Sequence, residues 1–185
     1  MVLRAIGIGV LATYPILIYF GIQTLPAGFF GLLLAVLVML RIFTIRGGDR
    51  LVVLPLMALL LVYSVAVAFF GSTRSLLYYP VLVNVALCVA FSASLLSEDP
   101  LLLRFVRSRG VAMSEYAAPY LTRLTRLWAS FFAISALVAL WTTTASLEVW
   151  TVYNGFVSYL LVAALISAEW LYRRRYKRVR GVGDL

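Results

Sequence analysis

The amino-acid sequence predicts an all-α, polytopic membrane protein with six transmembrane helices, both termini cytoplasmic, and one interfacial amphipathic helix between helices 4 and 5. Three observations predict it. The 185 residues are 64% hydrophobic and 12% charged, with a mean hydropathy of +1.02, far from the soluble average of about half apolar and a quarter charged. Charge-free runs recur at lengths close to the ~20 helical residues that cross ~30 Å of hydrocarbon. Of 16 lysines and arginines, only Arg74 falls on the side opposite to all the others when six spans are drawn, and short basic loops stay cytoplasmic.

The elements follow in order along a single transmembrane domain, 1–185. The chain carries no charge from Ala5 to Leu40, and Gln23-Thr24-Leu25-Pro26-Ala27-Gly28 divides that run into spans over 5–22 and 27–42, because proline and glycine punctuate helices. The first thirty residues lack a basic head, short apolar core and small-residue cleavage site, so the first span is expected to be retained. Pro15 lies near its middle and sets the carbonyl of Leu11 free, which predicts a kink. Spans over 51–70 and 76–96 come next. Pro80 in the latter acts on the carbonyl of Leu76, at the helix entrance, where the distortion costs little.

The segment 97–123 is the longest stretch outside the spans and is predicted to be cytoplasmic and amphipathic. Ser97-Glu98-Asp99-Pro100 reads as a helix start with Asp99 as cap and proline in the first turn. Leucines and Phe105 then share one side and Arg104, Arg107 and Arg109 the other, until Gly110 stops the helix. Such a helix lies in the interface plane. Pro119 opens the fifth helix, whose span is 124–144. Thr142-Thr143-Thr144 and Ser146 punctuate the last hairpin, and the sixth span covers 147–171. The tail 172–185 is basic, with Arg173-Arg174-Arg175-Tyr176-Lys177-Arg178 directly after the span. Each such residue gains ~1 kcal/mol from anionic headgroups, and the tail reads as a topology anchor.

Much chemistry is excluded. With no histidine, the commonest general base and metal ligand is missing. The acidic residues Asp49, Glu98, Asp99, Glu115, Glu148, Glu169 and Asp184 all fall in loops or near interfaces, so no carboxylate is placed to relay protons at depth. The single cysteine, Cys88, forms no framework by itself. No cofactor, no metal and no enzymatic activity are expected. The net charge of +9 is not arranged as a nucleic-acid-reading face; the expected partners are membrane lipids, including anionic headgroups at the cytoplasmic face, and a homo-oligomer or a membrane-biosynthetic protein. Glu148 complements the macrodipole at the start of the sixth helix, and Glu169 pairs with Arg173 one turn on.

The polar residues inside the spans are the candidates for function. Asn84 lies eight residues past Leu76 and Asn154 seven past Leu147, both counted from the non-cytoplasmic face, so the two amides reach nearly equal depth in the outer half. An amide in hydrocarbon must find a partner within protein. Trp150, Tyr153 and Asn154 share a face at i, i+3 and i+4. Tyr14, Tyr19, Asn84, Trp150, Tyr153 and Asn154 are therefore the expected lining of one polar-aromatic, substrate-binding pocket. The competing reading is that the asparagines only hold helices together, at about 0.6 kcal/mol each. Arg123 and Arg126, three apart in the first turns of helix 5, suit an anionic headgroup, since arginine matches phosphate bidentately; the competing reading is that they snorkel.

Several blocks together carry a family resemblance over about Thr13 to Arg178: Tyr79-Pro80-Val81-Leu82-Val83-Asn84, Arg123-x4-Trp128-x2-Phe131-Phe132, Leu147-Glu148-Val149-Trp150-x2-Tyr153-Asn154-Gly155, and the basic tail after Glu169. The chain resembles a family of uncharacterised bacterial inner-membrane proteins found beside fatty-acid-like or aryl-polyene-type synthases. More distantly, the second block and the following tryptophan helix are similar to the intracellular septation protein A family. Where that pattern has asparagine after the paired phenylalanines, this chain has Ser135. The resemblance implies a place in the bacterial inner membrane and a part in cell-envelope or lipid-like product biosynthesis, with no catalytic residue to carry over. Two functions are expected: a non-enzymatic scaffold for such biosynthesis, or a small transporter or flippase for an amphipathic lipid-like substrate.

Overall fold

The structure is a computed structural model that describes residues 19–21, 25–44, 50–108, 110 and 117–180. Its regular elements are all helical. They are α1 (Ala27–Thr44), α2 (Arg50–Phe70), α3 (Thr73–Leu76), α4 (Tyr79–Ser94), α5 (Leu101–Arg107), α6 (Ala117–Thr142), α7 (Leu147–Val152), a π-helical turn over Tyr153–Val157, and α8 (Ser158–Arg180). Three stretches among the described residues are long and apolar enough to cross a membrane: Arg74–Ser94, Ala117–Thr142 and Leu147–Arg175, of 21, 26 and 29 residues. The apolar helices α1 and α2 have 18 and 21 residues. Of the predicted span 5–22, only 19–21 are described, and they are helical; the kink at Pro15 and both chain ends lie outside the described residues.

α1 and α2 pack along one another, α4 packs along α6, and α2 meets α4 between the two pairs. The first pair is close because it is glycine-lined. A Cβ built on Gly31 would stand 2.4 Å from the amide nitrogen of Ala68, and one on Gly28 would stand 2.8 Å from the Ala68 carbonyl oxygen. Small residues let helix backbones approach where no hydrophobic force separates protein from lipid. Ser64, fully buried at the same contact, turns its hydroxyl back onto the Leu60 carbonyl of its own helix. The second pair meets through rings: Phe132 of α6 meets Phe91 of α4 edge-on at 5.3 Å between centroids, and Trp128, one turn back on α6, packs beside Phe132 at 5.6 Å. The shared core comprises Phe30, Leu34, Val38, Met57, Leu60, Val67, Leu76, Tyr79 and Trp150.

Pro80 divides the predicted fourth span. Its ring excludes the carbonyl four residues earlier, and the helix opens at Leu77 and Tyr78, whose amides donate to the carbonyls of Arg74 and Ser75 at 3.1 and 3.2 Å. Two side chains from other helices complete the break. Trp150 Nε1 donates to the Leu77 carbonyl at 3.0 Å, and Tyr63 Oη donates to that of Ser75.

The fifth predicted helix begins at Ala117, two residues before the Pro119 expected to open it and seven before the predicted span at 124, because Pro119 sits where the helix has amides without intrahelical partners anyway. The segment 97–123 is correspondingly short as an interfacial element. It contains α5, which lies against α6 and ends before Gly110, the one described residue with positive φ, at 66°. Asp99 does not cap α5 with its side chain. The Leu101 amide donates instead to Ser94 Oγ at 3.1 Å, and the Asp99 carboxylate pairs with Arg107.

Tyr120 near the start of α6 donates to Glu169 Oε1 at 2.8 Å and stacks on Tyr172 at 6.2 Å, tying α8 to α6. Glu169 also pairs with Arg173 at 3.5 Å. Arg74 thus lies at the end of the helices marked by Thr143, Thr144 and Leu147, while Arg104, Arg107, Arg123, Arg126 and Arg173 lie toward the other.

Candidate functional site

α4 and α7–α8 leave the Arg74 end in the same direction, and the Trp150–Leu77 hydrogen bond sets their relative height. Asn84 is seven residues beyond Leu77 and Asn154 four beyond Trp150, so their axial levels differ by only about 4–5 Å. Both line one partly open cavity of about 460 Å³. Its walls come from Leu56, Met57 and Leu60 of α2, Tyr79, Pro80, Val83 and Leu87 of α4, Phe131, Phe132 and Ser135 of α6, and Ser158, Tyr159 and Val162 of α8.

The two carboxamides are anchored differently. Asn84 Nδ2 donates to the Pro80 carbonyl one turn back, at 2.8 Å. Asn154, 4% exposed, donates from Nδ2 both to the Trp150 carbonyl at 2.9 Å and to Thr142 Oγ1 of α6 at 3.1 Å. Only Asn154 therefore bridges helices, and neither asparagine bonds to the other. No hydrogen bond among the described residues reaches either Oδ1.

The π-helical turn presents this wall. The Ser158 amide reaches back five residues to the Tyr153 carbonyl, and Ser158 Oγ donates to the Asn154 carbonyl at 3.0 Å. Such wide turns are rare and occur mostly at functional sites.

The other predicted pocket residues take separate places. Trp150 is fully buried in the core, with its indole on Leu77. Tyr153 is half-buried, and neither residue lines the cavity. Tyr19 packs edge-on against Phe20 at 5.2 Å and is likewise not a lining residue. Tyr14 lies outside the described residues. Arg123 and Arg126 are exposed on the first turns of α6, away from the cavity.

Sequence reasoning missed Tyr79, Ser158 and Tyr159 as lining. Ser158 was within reach of that reasoning, four residues from Asn154 and thus on its face; the π turn that brings Tyr159 round has no sequence signal. Among the described residues no three or more acidic or cysteine side chains gather as metal ligands.

The arrangement offers an apolar, aromatic-walled volume with two amide oxygens able to accept from a hydroxyl, amide or ammonium group. No protein-family model, curated protein or solved structure matches the chain.

Proposed function

We propose that this chain is a six-span protein of the bacterial inner membrane, both termini cytoplasmic, that performs no catalysis and supports cell-envelope or lipid-like product biosynthesis as a scaffold holding an amphipathic molecule. The observation that carries this reading is the cavity of about 460 Å³ in which Asn84 and Asn154 stand among aliphatic and aromatic walls. An amide oxygen removed from water and left without a donor costs about 1–3 kcal/mol, and a ligand bearing a donor head and an apolar body removes that cost. The biosynthetic setting is what the family resemblance implies, and the topology rests on the basic residues crowding one end with Arg74 alone at the other.

The test compares two alanine variants in purified protein, with the co-extracted small molecules identified by mass spectrometry. Asn84→Ala removes a hydrogen bond confined to one helix, so stability stays within about 0.5 kcal/mol of wild type while the bound molecule is lost. Asn154→Ala removes the link to Thr142 and lowers stability by about 0.6–1.7 kcal/mol as well. Unchanged cargo in both variants would mean that the asparagines serve helix packing alone.

A second reading, a small transporter or flippase for the same class of molecule, is favoured by the partial opening of the cavity. Movement of the co-extracted molecule across proteoliposomes separates it from the scaffold.

A further inference from the structure

We infer that a second groove, between α2 and α4, holds an acyl chain of an anionic phospholipid whose headgroup sits on Arg104. The groove encloses about 470 Å³ on a different face of α4 from the carboxamide cavity, and Leu56 belongs to both walls. Ala86, Ala90 and Ala93 of α4 leave the space, and Pro55 and Leu59 of α2 face it. From Val85 to Ser94 the helix advances about 13 Å, close to the ~15 Å depth of one hydrocarbon leaflet.

The end of the slot is cationic. Arg104 Nη2 donates to Ser97 Oγ at 3.1 Å and to the Asp99 carbonyl at 3.2 Å, two neutral acceptors that orient the guanidinium without neutralising it. The nearby Asp99 carboxylate is engaged by Arg107, and no carboxylate among the described residues lies within ion-pair distance of Arg104. Ser94, which also faces the groove, is already satisfied. Its hydroxyl donates to the Phe91 carbonyl at 2.7 Å and accepts from the Leu101 amide at 3.1 Å, so its part is to hold α5, and with it Arg104, over the mouth.

A slot one leaflet deep that ends on an uncompensated guanidinium complements a hydrocarbon tail joined to a phosphate, which arginine binds bidentately. An apolar helix from a second copy would fill the slot and leave the charge unanswered. The lipid answers both.

The site is independent of the Asn84 and Asn154 reading. Full-length protein in detergent is offered equal amounts of phosphatidylglycerol and phosphatidylcholine, and lipid-bound species are resolved by native mass spectrometry. Wild type retains phosphatidylglycerol in preference. Arg104→Gln lowers that preference about fivefold, whereas Arg74→Gln, which removes the same charge at the opposite end, leaves it unchanged. Ala90→Phe fills the slot and lowers retention of both lipids; should that variant fail to fold, Ala93→Leu at the exposed edge of the same wall provides the same readout. The inference is overturned by a preference that survives Arg104→Gln, by an equal loss in Arg74→Gln, by retention unaffected by the filled slot, or by a lipid-free wild-type dimer, which would put a second copy in the groove.

Discussion

The indole of Trp150 shows how a single side chain compensates a break in a neighbouring helix. Pro80 prevents a continuous ladder through the α3–α4 junction, and hydrocarbon provides no water to complete it. Trp150 Nε1 supplies one donor and Tyr63 Oη the other. Trp150→Phe keeps most of the buried volume and removes the donor, so it lowers stability by about 1–3 kcal/mol, read as an earlier midpoint of thermal unfolding in detergent. A midpoint equal to wild type would mean that the Leu77 carbonyl finds another donor. At this scale the sequence was informative about which residues matter and less so about their partners. Pro80, Asn84, Trp150 and Asn154 all stand out as polar or helix-disturbing groups in apolar runs, but the pairing of residue 150 with residue 77 is a property of tertiary packing that no local pattern encodes.

Among the elements, the α1–α2 pair depends on what its glycines lack. Gly31→Ala drives a methyl to 2.4 Å from the Ala68 amide nitrogen, where backbone rather than a flexible side chain must give way. The pair has to part, and a loss of at least about 1–3 kcal/mol follows, measurable as the denaturant or detergent dose at which intrinsic fluorescence shifts. A variant as stable as wild type would show that α1 is not pressed against α2. Tyr120 is a milder case. Tyr120→Phe keeps the stack on Tyr172 but loses the hydrogen bond to Glu169, at about 1 kcal/mol for a half-exposed contact. Hydrogen exchange should rise in 169–175 while α6 is unaffected; an unchanged rate there would assign the docking of α8 to the stack alone. Helix existence was readable from apolar run length, and the start of α5 from Pro100. Pro119 likewise marked the opening of the fifth helix, which begins at Ala117, seven residues ahead of a span bounded by charge. The cap was not legible. Asp99 fails as a cap because Arg107, eight residues away, holds its carboxylate.

For the whole molecule, the arrangement of charge gives the sharpest expectation. A fluorescent protein fused after Leu185 should fluoresce in the cytoplasm, and alkaline phosphatase inserted after Gly71, next to Arg74, should be active in the periplasm; the reverse pattern would refute the cytoplasmic placement of the basic end, and the same side for both reporters would refute three crossings between them. The crowding of cations at one end was visible from spacing alone. The cavity was visible only as two matched depths, and its actual walls required knowing that α2, α4, α6 and α8 meet there. The last helix adds one more consequence. It is secured near its beginning by the Trp150 indole and near its far end by the Tyr120 phenol, and between those fixings runs a turn one residue wider than an ordinary α-turn. Secured at two points, the rod contains slack. Shortening the chain by Gly155 would let the winding become regular without disturbing either fixing, leaving a sturdier protein whose cavity wall has been pulled flat.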